Sequence, residues 1–171
     1  GLHCIYEDKI VKIYSFPVCH SIPTCGFLFR ENERPRKLLK DKIKEFDIPI
    51  AELNNIKAGN DFIKNDKIIQ NDLLTVSSPP ARSYAFCADT VYNNSIVKFI
   101  SKVDLLYHES TFLTSMLTRA KSTKHSTAKQ AGLIAKEAMV GRLLIGHFSA
   151  RYKEIDLFES EAKEIFKATT A

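Results

Sequence analysis

The chain has 171 residues, of which 44% are hydrophobic and 26% charged, with a net charge of +5 and an isoelectric point near 9.0. This is enough chain for one domain with a sizeable core, and the composition is that of an ordinary soluble globular protein. No apolar run approaches the roughly 20 residues that cross a bilayer as a helix, so no membrane-spanning helix is expected. The opening GLHCIYEDKI lacks the apolar stretch of a secretory signal and begins without Met, which suggests a trimmed or partial chain. Cys4, Cys19, Cys25 and Cys87 form no CxxC pair and fit a reduced, cytoplasmic setting. The positive balance is a modest pointer to a polyanionic partner.

The first thirty residues read as strands. KIVKIYSFPV alternates apolar and polar residues, and CGFLFRE follows a Ser-Ile-Pro-Thr turn. From Arg34 the character changes. RPRKLLKDKIKEF sets Leu39, Ile43 and Phe46 at helical spacing among Arg34, Arg36, Lys37, Lys40, Lys42 and Lys44. Pro49 breaks that helix, and DIPIAELNNIKAGNDF predicts a second short one ended by Gly59. Residues 34–62 thus read as a basic inserted arm.

A strand-helix alternation follows. SYAFCADT is a strand ending in Asp89, and NSIVKFISK a short helix that Asn94 or Ser95 can cap. VDLLYHEST is a strand ending in His108-Glu109. STAKQAGLIAKEAMV is a helix with Ser126 or Thr127 at its N-cap, GRLLIGHFS a third strand, and EIDLFESEAKEIFKA a closing helix. The alternation predicts an α/β layer with a largely parallel sheet.

Polar residues gather where these strands give way to loops: His20, Asp89, His108 with Glu109, and His147, with His125 just before a helix. In α/β sheets that edge is where ligands bind, because adjacent strands deliver side chains to it. Histidine and aspartate suit zinc or manganese. Taken singly, each has a plain structural reading too: a hydrogen-bonded His, a capping Asp, a solvated Glu. No local ligand pair such as HxH or HExxH is present.

The ordered segments HSIPTCGFLFRE, FCADT, LLYHESTF, KHSTAKQAG and LLIGHFSARY resemble the carboxyl-terminal half of ribonuclease Z, the tRNA 3′-processing endonuclease family. The resemblance runs through nearly the whole chain and is weakest from Arg34 to Asn71. It implies the carboxyl-terminal half of a metallo-β-lactamase αββα sandwich and a zinc-dependent endoribonuclease that removes the 3′ trailer from precursor tRNA. It further implies two zinc ions per complete site, a cytoplasmic homodimer, and an arm that grips tRNA. Carried over by position, His20, Asp89 and His147 resemble metal ligands, with Asp89 as the bridge. His125 resembles the catalytic histidine, Glu109 the group that holds its tautomer, and Ser149 and Arg151 the residues near the scissile phosphate. His108 reads as structural, and His3 has no assignment.

The family's HxHxDH motif occurs nowhere in the sequence. The resemblance therefore places it upstream of Gly1, and the isolated chain is expected to bind zinc weakly and cleave little. Two further readings stand beside this one. The same fold serves phosphodiesterases acting on small esters, and a half-domain without its nuclease motif could bind tRNA or a partner without cleaving.

Overall fold

The alternating stretch beginning at Val11 builds the longest strands of the sheet. In the computed structural model, which describes residues 1–171, β1 (His3–Glu7), β2 (Val11–Val18) and β3 (Thr24–Glu31) form an antiparallel meander. Asp8 closes the first turn: its Oδ1 accepts from the backbone N–H of Ile10 and Val11 at 2.7 and 2.8 Å.

Two compact units emerge, Gly1–Asn32 with Arg82–Ala171, and Glu33–Ala81. The second contains β4 (Lys37–Leu38), α1 (Lys40–Glu45), α2 (Leu53–Lys57), β5 (Phe62–Lys64), β6 (Lys67–Ile69), α3 (Asn71–Leu74) and β7 (Thr75–Val76). It has a small core of Ile48, Ile56, Phe62 and Leu74, against which Ile43 and Phe46 pack. The helix read from Arg34 is shorter than the sequence suggests. Lys37 and Leu38 pair with Val76 and Thr75 instead, so helical backbone starts only at Lys40. The unit also runs past the 34–62 stretch, because Leu74 completes the same core and Ile69 packs against it. Gly59, at φ +101°, ends the segment after α2 as its position implies.

The first unit continues with β8 (Ser83–Cys87), α4 (Val97–Ile100), β9 (Leu105–Glu109), α5 (Leu117–Ser122), α6 (Ala128–Glu137), β10 (Arg142–Gly146), α7 (Asp156–Lys163) and β11 (Thr169–Thr170). These strands join the meander in one seven-stranded sheet of order β1-β2-β3-β8-β9-β10-β11. The sheet is mixed rather than largely parallel: β1, β2, β3 and β8 pair antiparallel, and β8 through β11 pair parallel. Tight turns permit only antiparallel neighbours, whereas parallel ones need the helical crossovers found later in the chain. The turn before α4 is capped by Asn93, whose side chain accepts from Ser95 N–H, rather than by Asn94 or Ser95. Thr127 caps α6 in a reciprocal box with Gln130.

Alternation sorts the sheet into two faces. Leu28, Ala85, Cys87, Leu106, Leu143 and Ile145 point into the main core, where Ala128, Ala131, Ile134 and Ala135 of α6 and Phe158 of α7 meet them. Burial pushes the Cys87 thiol up to about 12, so it stays a protonated, inert core group. On the other face Ile13, Phe27, Phe29, Tyr84, Phe86, Leu105, Tyr107 and Leu144 are only half-buried. Phe86 stacks on Tyr107 at 4.7 Å between ring centroids, and Phe29 on Tyr84 at 5.6 Å. This apolar face is the kind of surface that αββα packing covers. No helix is long and apolar enough to cross a membrane.

Gly132 lets α6 and α7 approach closely, since a Cβ there would stand 2.9 Å from the Ala162 carbonyl oxygen. Glycine-to-alanine changes inside helices normally stabilise by about 1 kcal/mol. Gly132→Ala is expected to do the reverse and cost about 1–3 kcal/mol, because the helices must part. Urea denaturation checks the sign; a gain in stability would refute the close-contact argument.

Candidate functional site

Strand direction explains why distant residues meet. β2 and β8 each run antiparallel to β3, and β9 and β10 run parallel to β8. The carboxyl ends of β2, β8, β9 and β10 therefore share one edge of the sheet. His20, Asp89, Glu109 and His147 sit at or just beyond those four ends, and His125 joins them from the loop before α6.

Potential donor atoms of His20, Asp89 and His125 lie within 4.8 Å of one another, as do those of Glu109, His125 and His147. The ring centroids of His20 and His125 are 5.1 Å apart, and those of His125 and His147 5.3 Å. His147 Nδ1 stands 3.7 Å from Asp89 Oδ1 and 3.9 Å from Glu109 Oε2. Asp89 and His147 both take left-handed backbone, at φ +50° and +62°. Such conformations cost non-glycine residues free energy and gather at functional sites.

Glu109 is completely buried and fully engaged. Its carboxylate accepts from Thr111 Oγ1 at 2.6 Å, His125 Nδ1 at 2.9 Å and the Ser126 N–H at 3.3 Å, and also from the Thr90 N–H. With both oxygens occupied, Glu109 is a poor candidate ligand and a good anchor for His125. Its grip on Nδ1 leaves His125 Nε2 with no hydrogen-bond partner in the chain. His20 is oriented in a similar way: Nδ1 lies 3.0 Å from the Lys124 carbonyl oxygen, an acceptor only, so Nδ1 carries the proton and Nε2 offers its lone pair. The two groups that the structure brings together, His20 with Asp89 and His125, and Glu109 with His125 and His147, consist of residue types that fit a borderline divalent metal.

Ser149 and Arg151 lie in the loop after β10. The Ser149 N–H donates to the Thr111 carbonyl at 3.1 Å, tying that loop to the end of β9. Arg151 is exposed and its guanidinium carries no ion pair. Thr90, Thr111 and Ser126 are the contributors that the sequence reading passed over. Two of them act through backbone N–H groups, which leave no signature in the residue types; Thr111 stood in view within HEST.

His108 is not part of the cluster. It points into the core, fully buried, with Nδ1 donating to the Glu109 carbonyl at 2.8 Å and Nε2 without a partner. Burial pushes its imidazole below the ordinary histidine value, which outweighs the favourable contact with Glu109. The unfolded chain therefore takes up the proton first, and stability falls as pH drops through about 6.5. The expected slope from this residue is up to about 1.4 kcal/mol per pH unit. Urea midpoints compared between wild type and His108→Gln above and below that pH test it; equal slopes in the two proteins would contradict the assignment.

Solved structures place the chain in the metallo-β-lactamase fold. The metallo-β-lactamase fold protein YhfI of Bacillus subtilis matches with a TM-score of 0.60 at 20% identity, covering 98% of this chain and 48% of that one. The short form of human tRNase Z matches with a TM-score of 0.52 at 22% identity, covering 90% of this chain and 42% of that one. No family model matches. Among curated sequences, the ribonuclease Z of Bacteroides fragilis is 46% identical over 166 residues, 96% of this chain and 55% of its own length. That of Porphyromonas gingivalis is 48% identical over 168 residues, 98% of this chain and 55% of its own. The chain is a homologue of ribonuclease Z along nearly its whole length, and it spans about half the length of the curated relatives it matches.

Proposed function

We propose that this chain is the carboxyl-terminal half of a zinc-dependent endoribonuclease that removes the 3′ trailer from precursor tRNA. The observation that carries the reading is the meeting of His20, Asp89, His125 and His147 on one sheet edge, in a chain whose relatives are ribonuclease Z. His20, Asp89 and His147 would hold the metal, with Asp89 as the shared carboxylate. A bound pair of divalent ions supplies a nucleophilic water at neutral pH and offsets charge that develops on phosphorus.

The chain's own residues do the rest. Glu109 keeps His125 upright, so that Nε2 faces the phosphate and can pass a proton to the leaving 3′ oxygen. Arg151 offers a planar fork to two phosphate oxygens, and Ser149 holds its loop in reach. Lysines of the 34–62 arm suit contacts to an RNA backbone recognised by shape. The reading includes a homodimer in the cytoplasm, the latter supported by four free cysteines.

The test is cleavage of a 3′-extended precursor tRNA with added zinc, by the chain as given and by a version joined to the preceding half of its relatives. Trailer release by the joined protein alone is expected, because three protein ligands cannot complete two metal sites. Tight tRNA binding with cleavage by neither would favour a binding module instead. Hydrolysis of a small phosphodiester that mature tRNA does not compete against would favour a small-ester enzyme.

A further inference from the structure

Helix α5 ends in an arrangement that its sequence does not favour. The His125 N–H donates to the Ala120 carbonyl at 2.8 Å and the Lys124 N–H to the Lys121 carbonyl at 3.2 Å, the paired bonds that close a helix through a left-handed residue. That residue is Lys124, at φ +56°. Glycine is the usual occupant, since any side chain there meets its own backbone. A lysine in this position accepts strain that a glycine would avoid, and its contacts show what it gains.

Two bonds join Lys124 to His20, 104 residues away in sequence. The Lys124 carbonyl accepts from His20 Nδ1 at 3.0 Å, and the Lys124 ammonium donates to the His20 carbonyl at 3.2 Å. The loop that carries His20 is tied on its other side as well, where the Val91 N–H donates to the Cys19 carbonyl at 2.9 Å and the Cys19 N–H to Thr90 Oγ1 at 3.3 Å. Lys124 also directly precedes His125. One residue thus links the two imidazoles whose centroids lie 5.1 Å apart.

We propose that Lys124 is a positioning residue for the metal centre: its two-point clasp holds His20 in the Nδ1-protonated tautomer, with Nε2 presented to the cluster. The clasp itself stands on the contacts above, and its consequence for metal rests on the reading of His20 as a ligand. A lysine kept only to end the helix would be improved upon by glycine in every respect. A clasp predicts opposite signs for the fold and for the site.

The experiment uses the chain joined to the preceding half of its relatives, the form in which the proposed metal sites are complete. The His20 tautomer is read from ring nitrogen shifts by long-range proton–nitrogen NMR at a pH where the ring is neutral, and affinity from the visible spectrum of added cobalt(II). Lys124→Gly keeps the main-chain carbonyl but removes the ammonium that anchors the His20 loop against it. It is expected to keep or raise the melting temperature, to let His20 drift from that carbonyl into a mixture of tautomers, and to weaken cobalt binding roughly 10- to 100-fold. Lys124→Arg, which retains the cation, is expected to restore the single tautomer and most of the affinity. A single Nδ1-protonated tautomer and unchanged cobalt affinity in the glycine variant would overturn the proposal, as would the other tautomer in the wild type. A mixed tautomer with unchanged affinity would leave the clasp standing and overturn His20 as a ligand.

Discussion

Glu109→Leu is expected to cost the fold about 3–5 kcal/mol, a large part of the roughly 5–15 kcal/mol that holds a typical domain together. The leucine fills the space but accepts nothing. It leaves the N–H groups of Thr90 and Ser126 and the Thr111 hydroxyl without an acceptor in a fully buried place. Each orphaned donor costs about 1–3 kcal/mol, partly relieved by local rearrangement. Urea denaturation at neutral pH measures the loss. A cost below about 1 kcal/mol would mean that the donors find other partners, and that Glu109 does not organise the site.

His125→Ala is expected to do the opposite, sparing the fold and removing the chemistry. The ring is partly exposed and its one bonded nitrogen faces a carboxylate that keeps three other donors. In the protein joined to its preceding half, turnover of precursor tRNA should fall roughly 10²- to 10⁴-fold, the usual contribution of a positioned proton donor. Metal content and tRNA affinity should stay near wild type. Loss of metal on this substitution would make His125 a ligand rather than a proton donor, a distinction that matters because its donor atoms lie within 4.8 Å of those of both His20 and Asp89 and of both Glu109 and His147. The two substitutions together separate the residue that holds the site from the residue that acts in it.

Much of this was legible in the residues. Period-two alternation and apolar runs located β2, β3, β8, β9 and β10, because a strand's side chains must sort between two faces wherever the sheet lies. Ser126 or Thr127 marked the start of α6, because an N-cap is a local bond within one turn of helix; the structure assigns it to Thr127, boxed with Gln130. The polar residues at the strand ends were visible for the same reason: an apolar run that stops at Asp89 or His147 marks a strand giving way to a loop.

Other features depend on partners far along the chain, and local pattern carries no trace of them. Lys37 and Leu38 have helical spacing yet pair as strand, because Thr75 and Val76 offer them a backbone ladder. The sheet is half antiparallel because β8 returns beside β3 after the second unit. That pairing also sends β2 the same way as β8, which is what brings His20 to the edge that holds Asp89 and His147. The sequence by itself determined the strands that carry the candidate centre, the motifs and the residue types gathered there. Only the tertiary structure decided their company: Glu109 buried beneath His125 among three further donors, and Lys124 clasping His20. Those arrangements rest on backbone groups and on contacts between distant segments, and neither is encoded in any single stretch of the chain.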